Sequence, residues 1–165
     1  KGISDDELKL VVEKRFLFKN IGHSFRCTEM EAAIGIGQLA RANEILNKRK
    51  EIAERFNKEF ENLQDYIQLP YCPNDRTHSY MLYGIVMKKT DKIDFVNYLE
   101  NLNIETRDML PIINQPIYER IYGNMEKNYP IAKWINNSGL YIGCHSYMEE
   151  DEIAFIISAI RNFFK

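Results

Sequence analysis

The chain has 165 residues, of which 45% are hydrophobic and 28% charged, and its formal net charge is −2 at pH 7. This length suffices for one domain with a buried core. The near-neutral charge gives no indication of a nucleic-acid or membrane-surface partner. No apolar run approaches the ~20 residues of a membrane span, and the N-terminus lacks the apolar core of a signal peptide. We therefore expect a cytoplasmic protein with no membrane partner.

Capping boxes mark two helix starts in the first third of the chain. Ser4 with Glu7 precedes a short amphipathic helix, and Thr28 with Glu31 precedes a long helix that reaches about residue 63. The first half of the long helix is apolar or small on nearly every side, which indicates burial between partners. The second half carries a single apolar stripe, made by Ile45, Ile52, Phe56, Phe60 and Leu63.

Strands and shorter helices follow the long helix. Apolar residues on both alternating faces predict a central strand within residues 79–88. The same kinds of pattern predict short strands at residues 104–107 and 139–143, and helices at residues 92–102, 117–122 and 130–136. Ser146 with Glu149 is expected to cap a last helix that has a wide apolar face.

Together these elements predict an α+β fold. A long N-terminal helix leads into a small antiparallel sheet that is covered by helices. No repeat, low-complexity tract or flexible linker interrupts the sequence, so we expect residues 1–165 to form a single domain. Within it, residues 1–63 would be a helical interface and linker region, and residues 64–165 the α+β part.

The three cysteines, Cys27, Cys72 and Cys144, lie far apart in the chain. Their spacing matches no zinc motif, so we expect free thiols and no metal site. Cys27 stands beside Arg26 at a predicted helix start, where a thiolate is favoured. A nucleophilic Cys27 would need a base and an orienting partner, and none is identifiable around it in the sequence. We therefore prefer the interpretation that Cys27 is a free thiol.

The segment 22–35 joins a polar, cationic loop to the Thr28 helix start and a run of small residues. It resembles the G-x-N-x-R motif and the following [ST]-[DE]-x-[QE]-A-A-[IL]-G of the DegT/DnrJ/EryC1/StrS family. These are pyridoxal-phosphate (PLP) sugar aminotransferases of the aspartate-aminotransferase fold type. Further matches follow in the family's order, with residues 104–107 similar to G-I-x-T-R, 111–118 to P-x-H-x-Q-P-x-[YF], and 129–132 to F-P-x-A.

The resemblance implies a homodimer in which the loop before the long helix completes the active site of the opposite subunit. Cofactor binding is implied for Ser24 and Arg26, and substrate contact for His23, Arg107 and Gln115. The guanidinium of Arg26 is a planar, permanently charged donor that suits a phosphate.

Alternatives to these roles remain open. Arg26 would otherwise pair with Glu29 or Glu31, and a structural ion pair is the alternative for Arg107. Ser24 stands where family members usually have Asn, and its shorter side chain would reach the phosphate through a water bridge. Ile113 replaces a His found in many members, so that polar substrate contact is lost.

The lysine that holds PLP as a Schiff base in the family lies upstream of all these motifs. Only 21 residues precede Gly22, and the lysines among them are in a different setting. The chain therefore resembles the C-terminal portion of an aminotransferase. We expect no catalytic residue in it and no PLP bound to it alone, although the full-length parent would use PLP.

The parent's implied reaction is transfer of an amino group from an amino acid, glutamate being the expected donor, to a nucleotide-linked keto-sugar. Two alternatives belong to other classes. One is a PLP-dependent sugar 3-dehydrase, in which a His replaces the upstream lysine. The other is a non-catalytic domain that self-associates through the small-residue helix.

Overall fold

A computed structural model describes residues 25–109 and 112–165 of the chain, together with Ser4, Glu7 and His23. Its contacts divide the chain into two units, residues 1–39 and residues 40–165. The short amphipathic helix predicted after Ser4 lies outside the described residues. Its capping box is present, because the Ser4 N–H donates to the Glu7 carboxylate at 2.9 Å and the Glu7 N–H donates to the Ser4 hydroxyl at 3.3 Å.

Helix α1, Glu29–Ala40, begins where the sequence predicts it. The Thr28 N–H and hydroxyl both donate to the Glu31 carboxylate at 2.8 Å, and the Glu31 N–H donates back to the hydroxyl at 3.3 Å. Side chains therefore satisfy two of the N–H groups that a helix start leaves without a helical partner. No residue of α1 is buried in the single chain, and whether a partner covers it stays a prediction.

The prediction of one continuous helix from Thr28 to about Leu63 is wrong, because the helix is interrupted at Arg41. Helix α2 begins after this break and spans Ala42–Glu59, and a 3₁₀ turn, Glu61–Leu63, follows. Arg41 has φ −105° and ψ 4°, outside the α region. Its guanidinium bonds the Glu44 carboxylate at 3.3 Å and the Tyr147 hydroxyl at 3.0 Å, which holds the residue in that conformation.

Four short strands of the second unit form one antiparallel sheet in the order β1-β2-β4-β3. Their bounds are Ile67–Gln68, Leu82–Met87, Thr106–Asp108 and Gly139–Gly143 for β1 to β4. The predicted central strand is confirmed as β2, which pairs with β1 on one side and β4 on the other. Strand β4 has the predicted bounds, and β3 is an edge strand that begins two residues later than predicted.

Four further helices complete the described part of the second unit. They are α3 Lys92–Asn101, α4 Pro116–Tyr122, α5 Pro130–Ser138 and α6 Glu150–Phe163. Short 3₁₀ turns at Ile112–Asn114 and Glu126–Asn128 precede α4 and α5. Among the helices that the structure describes, none has the length and apolarity needed to cross a bilayer. The predicted α+β class, with helices on a small antiparallel sheet, is confirmed.

The predicted cap of the last helix is wrong by three residues. Glu149, not Ser146, is the N-cap of α6, and its N–H donates to the Glu152 carboxylate at 2.8 Å. Ser146 lies inside a turn that the Met148 N–H closes onto the His145 carbonyl at 3.2 Å. The turn holds Ser146 outside the helix, so its hydroxyl does not reach the free N–H groups of the first helical turn.

One face of the sheet packs on α2, α3 and α6 to form the core. The predicted apolar stripe is confirmed at Ile52, Phe56, Phe60 and Leu63, which are buried, while Ile45 is half-buried. Phe56 lies at the centre, with its ring centroid 5.7 Å from that of Phe60 and 5.1 Å from that of Tyr83. Burial raises the pKa of the Tyr83 hydroxyl, which donates to the Asn57 side chain at 2.7 Å.

Lys92 joins three elements at the edge of the sheet. Its ammonium donates to the Asp108 carboxylate on β3 at 2.9 Å and to the Asn136 carbonyl in α5 at 3.1 Å, and the side chain is only 14% exposed. We expect Lys92→Met to lower the free energy of unfolding by about 1–2 kcal/mol, since two charge-assisted hydrogen bonds are lost. Urea denaturation measures this change.

The control is Lys133→Met, which removes a pair with Glu126 at 3.0 Å whose lysine is 49% exposed. Exposed pairs contribute little, and we expect a change below ~0.5 kcal/mol there. Equal effects of the two substitutions would contradict the role assigned to Lys92.

Candidate functional site

The loop before α1 contains Arg26, an exposed cationic side chain. Arg26 is exposed and forms no ion pair or hydrogen bond with any residue that the structure describes. The alternative pairing with Glu31 is not found, because that carboxylate is occupied by the N–H and hydroxyl of Thr28. The guanidinium is thus available to an anion outside the described chain, close in sequence to the positive end of a helix.

The other loop residues contribute less to this arrangement. Ser24 lies outside the described residues. His23 is exposed, and its ring centroid lies 5.9 Å from that of Phe25, which is itself 91% exposed.

The pKa of Glu31 lies below its usual value because the backbone N–H and then the hydroxyl of Thr28 bond the charged carboxylate. Its contribution to the helix start is complete above the pKa of glutamate in the unfolded chain. That contribution is lost as the pH falls through the lowered folded-state pKa. An NMR titration of the Glu31 carboxyl should show this low pKa, and Thr28→Val should raise it toward the usual value. The same pKa in both proteins would contradict the capping geometry.

Arg107 lies on the edge strand β3, in the second unit. It pairs opposite Tyr141 of β4, and its guanidinium bonds the Glu105 carboxylate at 2.7 Å. The ion pair considered as the alternative for Arg107 is therefore present, and both of its side chains are exposed. Such an exposed pair stabilises little, so a ligand anion would displace Glu105 at small cost.

Arg107 also lines a groove of about 360 Å³ between the edge of the sheet and α6. The groove includes Tyr141 and Gly143 of β4, His145 after that strand, and Phe155 of α6. Sequence reasoning missed Tyr141, Gly143 and Phe155 as lining residues. The alternation of β4 puts Leu140 and Ile142 in the core. It does not mark the groove, because Ile142 lines the groove as well.

Gln115 stands at the start of another element. It is the N-cap residue of α4, half-buried, and its side-chain amide lies 3.5 Å from the Asn114 side-chain oxygen. It does not line the groove that contains Arg107. Ile113, which replaces the His of many family members, lies in the 3₁₀ turn just before it.

The cysteines are free thiols, as predicted. Cys27 is exposed beside Arg26, Cys72 is half-buried, and Cys144 is buried at the end of β4. Burial raises the pKa of Cys144 to about 11, and its thiol lies 3.5 Å from the Arg49 carbonyl. Cys144 is therefore a protonated core side chain at neutral pH rather than a nucleophile.

Residues 5–161 match the model of the DegT/DnrJ/EryC1/StrS aminotransferase family, which is nearly the whole chain. The chain therefore belongs to this family. The predicted family is confirmed by this match.

Two similar proteins are named for enzymes of GDP-linked sugars. The chain is 28% identical to the GDP-perosamine synthase of Vibrio cholerae over 94% of its own length and 42% of that protein. It is 26% identical to the GDP-4-keto-6-deoxy-D-mannose 3-dehydratase of Escherichia coli O55:H7, over 96% of its length and 40% of that protein.

Solved structures give the same fold. The aminotransferase PseC of Helicobacter pylori, described as involved in the biosynthesis of pseudoaminic acid, superposes with a TM-score of 0.74 at 23% identity. This superposition covers 96% of the chain and 45% of PseC. The chain thus spans about two fifths of the length of the proteins that it matches.

Proposed function

We propose that this chain is the C-terminal part of a PLP-dependent aminotransferase that acts on a nucleotide-linked keto-sugar in surface-polysaccharide or amino-sugar biosynthesis. Glutamate is the amino donor in this proposal, and the cytoplasm, where nucleotide sugars are made, is the site of action. Family membership across residues 5–161 and the perosamine-synthase relatives support it. The observation that carries it within the chain is the exposed Arg26 guanidinium before a capped helix start, which has no partner among the residues that the structure describes.

Arg26 and its surroundings fit a phosphate group. A phosphate carries two negative charges, and the fork of a guanidinium binds two of its oxygens at once. PLP, when bound, supplies the electron sink that makes amino-group transfer feasible, and the lysine and acid that tune it are outside this chain. In the proposal Arg26 and Ser24, two residues before it in the sequence, hold the cofactor phosphate and thereby fix the orientation of the ring.

The proposal places this loop in the active site of a second subunit. Helix α1 supports that arrangement, since Met30, Ile34, Ile36 and Leu39 are each at least two-thirds exposed in the single chain. An exposed apolar surface of this kind is typical of a contact with another molecule. A homodimer in which α1 lies near the contact would bury these side chains and bring Arg26 to the partner's cofactor.

In the proposal His23, Arg107 and Gln115 face the substrates. Arg107 is suited to the diphosphate of a nucleotide sugar or to the carboxylate of the amino donor, because its present partner, Glu105, is exposed and exchangeable. Residues 1–63 would serve as the interface and linker region, and residues 64–165 as the α+β part that covers the site.

A second candidate is a sugar 3-dehydratase, which the 26% identity to the Escherichia coli O55:H7 enzyme favours.

One experiment distinguishes the aminotransferase from the dehydratase. The protein encoded by the complete reading frame is incubated with PLP, glutamate and a GDP- or UDP-linked 4-keto-6-deoxy-sugar. An amino-sugar product with stoichiometric 2-oxoglutarate supports the proposed function. A 3-deoxy product supports the dehydratase, and the absence of both products refutes both candidates.

A further inference from the structure

The connection between β1 and β2, residues 69–81, contains no helix or strand, and Tyr80 near its end has an unusual backbone. Tyr80 has φ 43°, which is in the left-handed region, and its side chain is buried. Among the residues that the structure describes, Asn103 is the other non-glycine residue with a positive φ. Asparagine tolerates this region far better than a bulky side chain does. The conformation of Tyr80 therefore persists only because surrounding contacts hold it.

His78 supplies such a contact. The Tyr80 N–H donates to Nδ1 of His78 at 2.9 Å, and the centroids of the two rings lie 4.5 Å apart. Because Nδ1 accepts this hydrogen bond through its lone pair, the imidazole is neutral and carries its proton on Nε2. A proton on Nδ1 would turn the acceptor into a donor, and the Tyr80 N–H would lose this partner. His78 is exposed, so protons from the solvent reach it.

Open space lies between residues 70–80 and helix α2. A cavity of about 350 Å³ is lined on one side by Lys50, Glu54 and Asn57 of α2, and on the other by most of residues 70–80, including His78 and Tyr80. Close-packed interiors resist rearrangement, whereas a segment with space beneath it and no ladder of backbone hydrogen bonds opens locally at low cost. Residues 70–80 are a segment of the second kind.

We propose that His78 is a pH-dependent latch for residues 70–80. At neutral pH the uncharged imidazole holds Tyr80 in its left-handed conformation. In mildly acidic solution Nδ1 takes up a proton and the acceptor is lost. Tyr80 then relaxes toward the extended backbone that its side chain prefers, and residues 70–80 move away from α2. The inference does not depend on the proposed function, because it uses only contacts within the second unit.

The other groups around this cavity do not take over the role of His78. Glu54, the one carboxylate among the described lining residues, is paired with Lys50 at 3.7 Å, and Arg76 is paired with Asp75 at 2.8 Å. The remaining titratable groups that line the cavity are the thiol of Cys72 and the hydroxyls of Tyr71 and Tyr80. Thiols and phenols lose their protons on the alkaline side of neutrality, and burial raises the pKa of the Tyr80 hydroxyl further. Histidine is the side chain that changes charge between about pH 5 and pH 8.

Hydrogen exchange at the Tyr80 amide tests the latch in the protein encoded by the complete reading frame. Exchange is followed by mass spectrometry with electron-transfer fragmentation at about pH 8 and about pH 5, and the rates are corrected for the intrinsic pH dependence of exchange. In His78→Asn, the side-chain oxygen accepts the same N–H at both pH values. His78→Ala has no acceptor at either pH. His145→Asn is the matched control, since His145 is also exposed and does not line this cavity.

We expect protection of the Tyr80 amide to fall about tenfold at the lower pH in the wild type and in His145→Asn, because one hydrogen bond is lost. Protection should change less than about twofold in His78→Asn, and should be low at both pH values in His78→Ala. The Ile85 amide in β2 is the internal reference and should keep its protection. Tyr80 protection that is constant with pH in the wild type would overturn the inference. An equal fall in His78→Asn, or an equal fall at Ile85, would overturn it as well.

Discussion

Phe56→Ala is expected to lower the free energy of unfolding by about 3–5 kcal/mol, the largest stability change that we predict for a single residue. Phe56 is fully buried and contacts Phe60 and Tyr83 in the centre of the core. The substitution removes a whole ring from a site where α2 meets β2, and the surrounding helices and sheet collapse only partly into the space. Urea denaturation followed by circular dichroism measures the loss.

Phe155→Ala is the matched control. Phe155 is on α6, where it lines the groove beside Arg107, and it is 49% exposed. Its truncation removes about half as much buried area and leaves no enclosed cavity, so we expect a change of about 1 kcal/mol. A comparable loss of stability in the two variants would show that the core is not centred on Phe56.

Arg26→Ala is expected to reduce kcat/KM of the complete enzyme by about 10–100-fold, because one charge-assisted contact to a phosphate contributes about 1.5–3 kcal/mol. Arg26→Lys should restore only part of the activity, since a lysine keeps the charge and loses the two-pronged geometry. Arg76→Ala is the control; this loop arginine is paired with the adjacent Asp75 at 2.8 Å. Its activity should stay within about twofold of wild type.

Mixed dimers test whether Arg26 acts in the partner's site. One parent lacks the lysine that binds the cofactor, and the other carries Arg26→Ala. If the loop completes the opposite site, each mixed dimer has one site with both an intact lysine and an intact Arg26, and activity returns. If the loop acts within its own subunit, no site has both groups, and mixing restores nothing.

Local signals in the sequence predict most element boundaries. The Thr28–Glu31 capping box fixes the start of α1 within one residue because its hydrogen bonds are local. The predicted bounds of strand β4 agree with the observed ones, because a glycine stands at each end of a short apolar run. The cap of α6 was misplaced because Ser146 and Glu149 satisfy the same spacing rule as Glu149 and Glu152, and the turn at residues 145–148 decides between them.

Features that depend on tertiary contacts could not be predicted. No glycine or proline stands at Arg41 to indicate that the helix is interrupted there. The Arg41 side chain bonds Tyr147, which is 106 residues away in the sequence. The groove beside Arg107 is lined by residues of β4, of the loop after it and of α6. No short sequence motif includes residues of all three. The Glu31 carboxylate does not bond Arg26 because it already accepts hydrogen bonds from the N–H and hydroxyl of Thr28. The capping box predicted these hydrogen bonds, but their effect on Arg26 became apparent only from the geometry.

The central claim is that this chain is one part of a PLP enzyme whose cofactor lysine lies elsewhere in the polypeptide. The most direct measurement is borohydride reduction of the PLP-loaded product of the complete reading frame, followed by peptide mapping. We predict one stoichiometric reduced adduct, on a lysine outside residues 1–165. A stoichiometric adduct on a lysine within residues 1–165, or a protein that binds no PLP at all, would contradict the account.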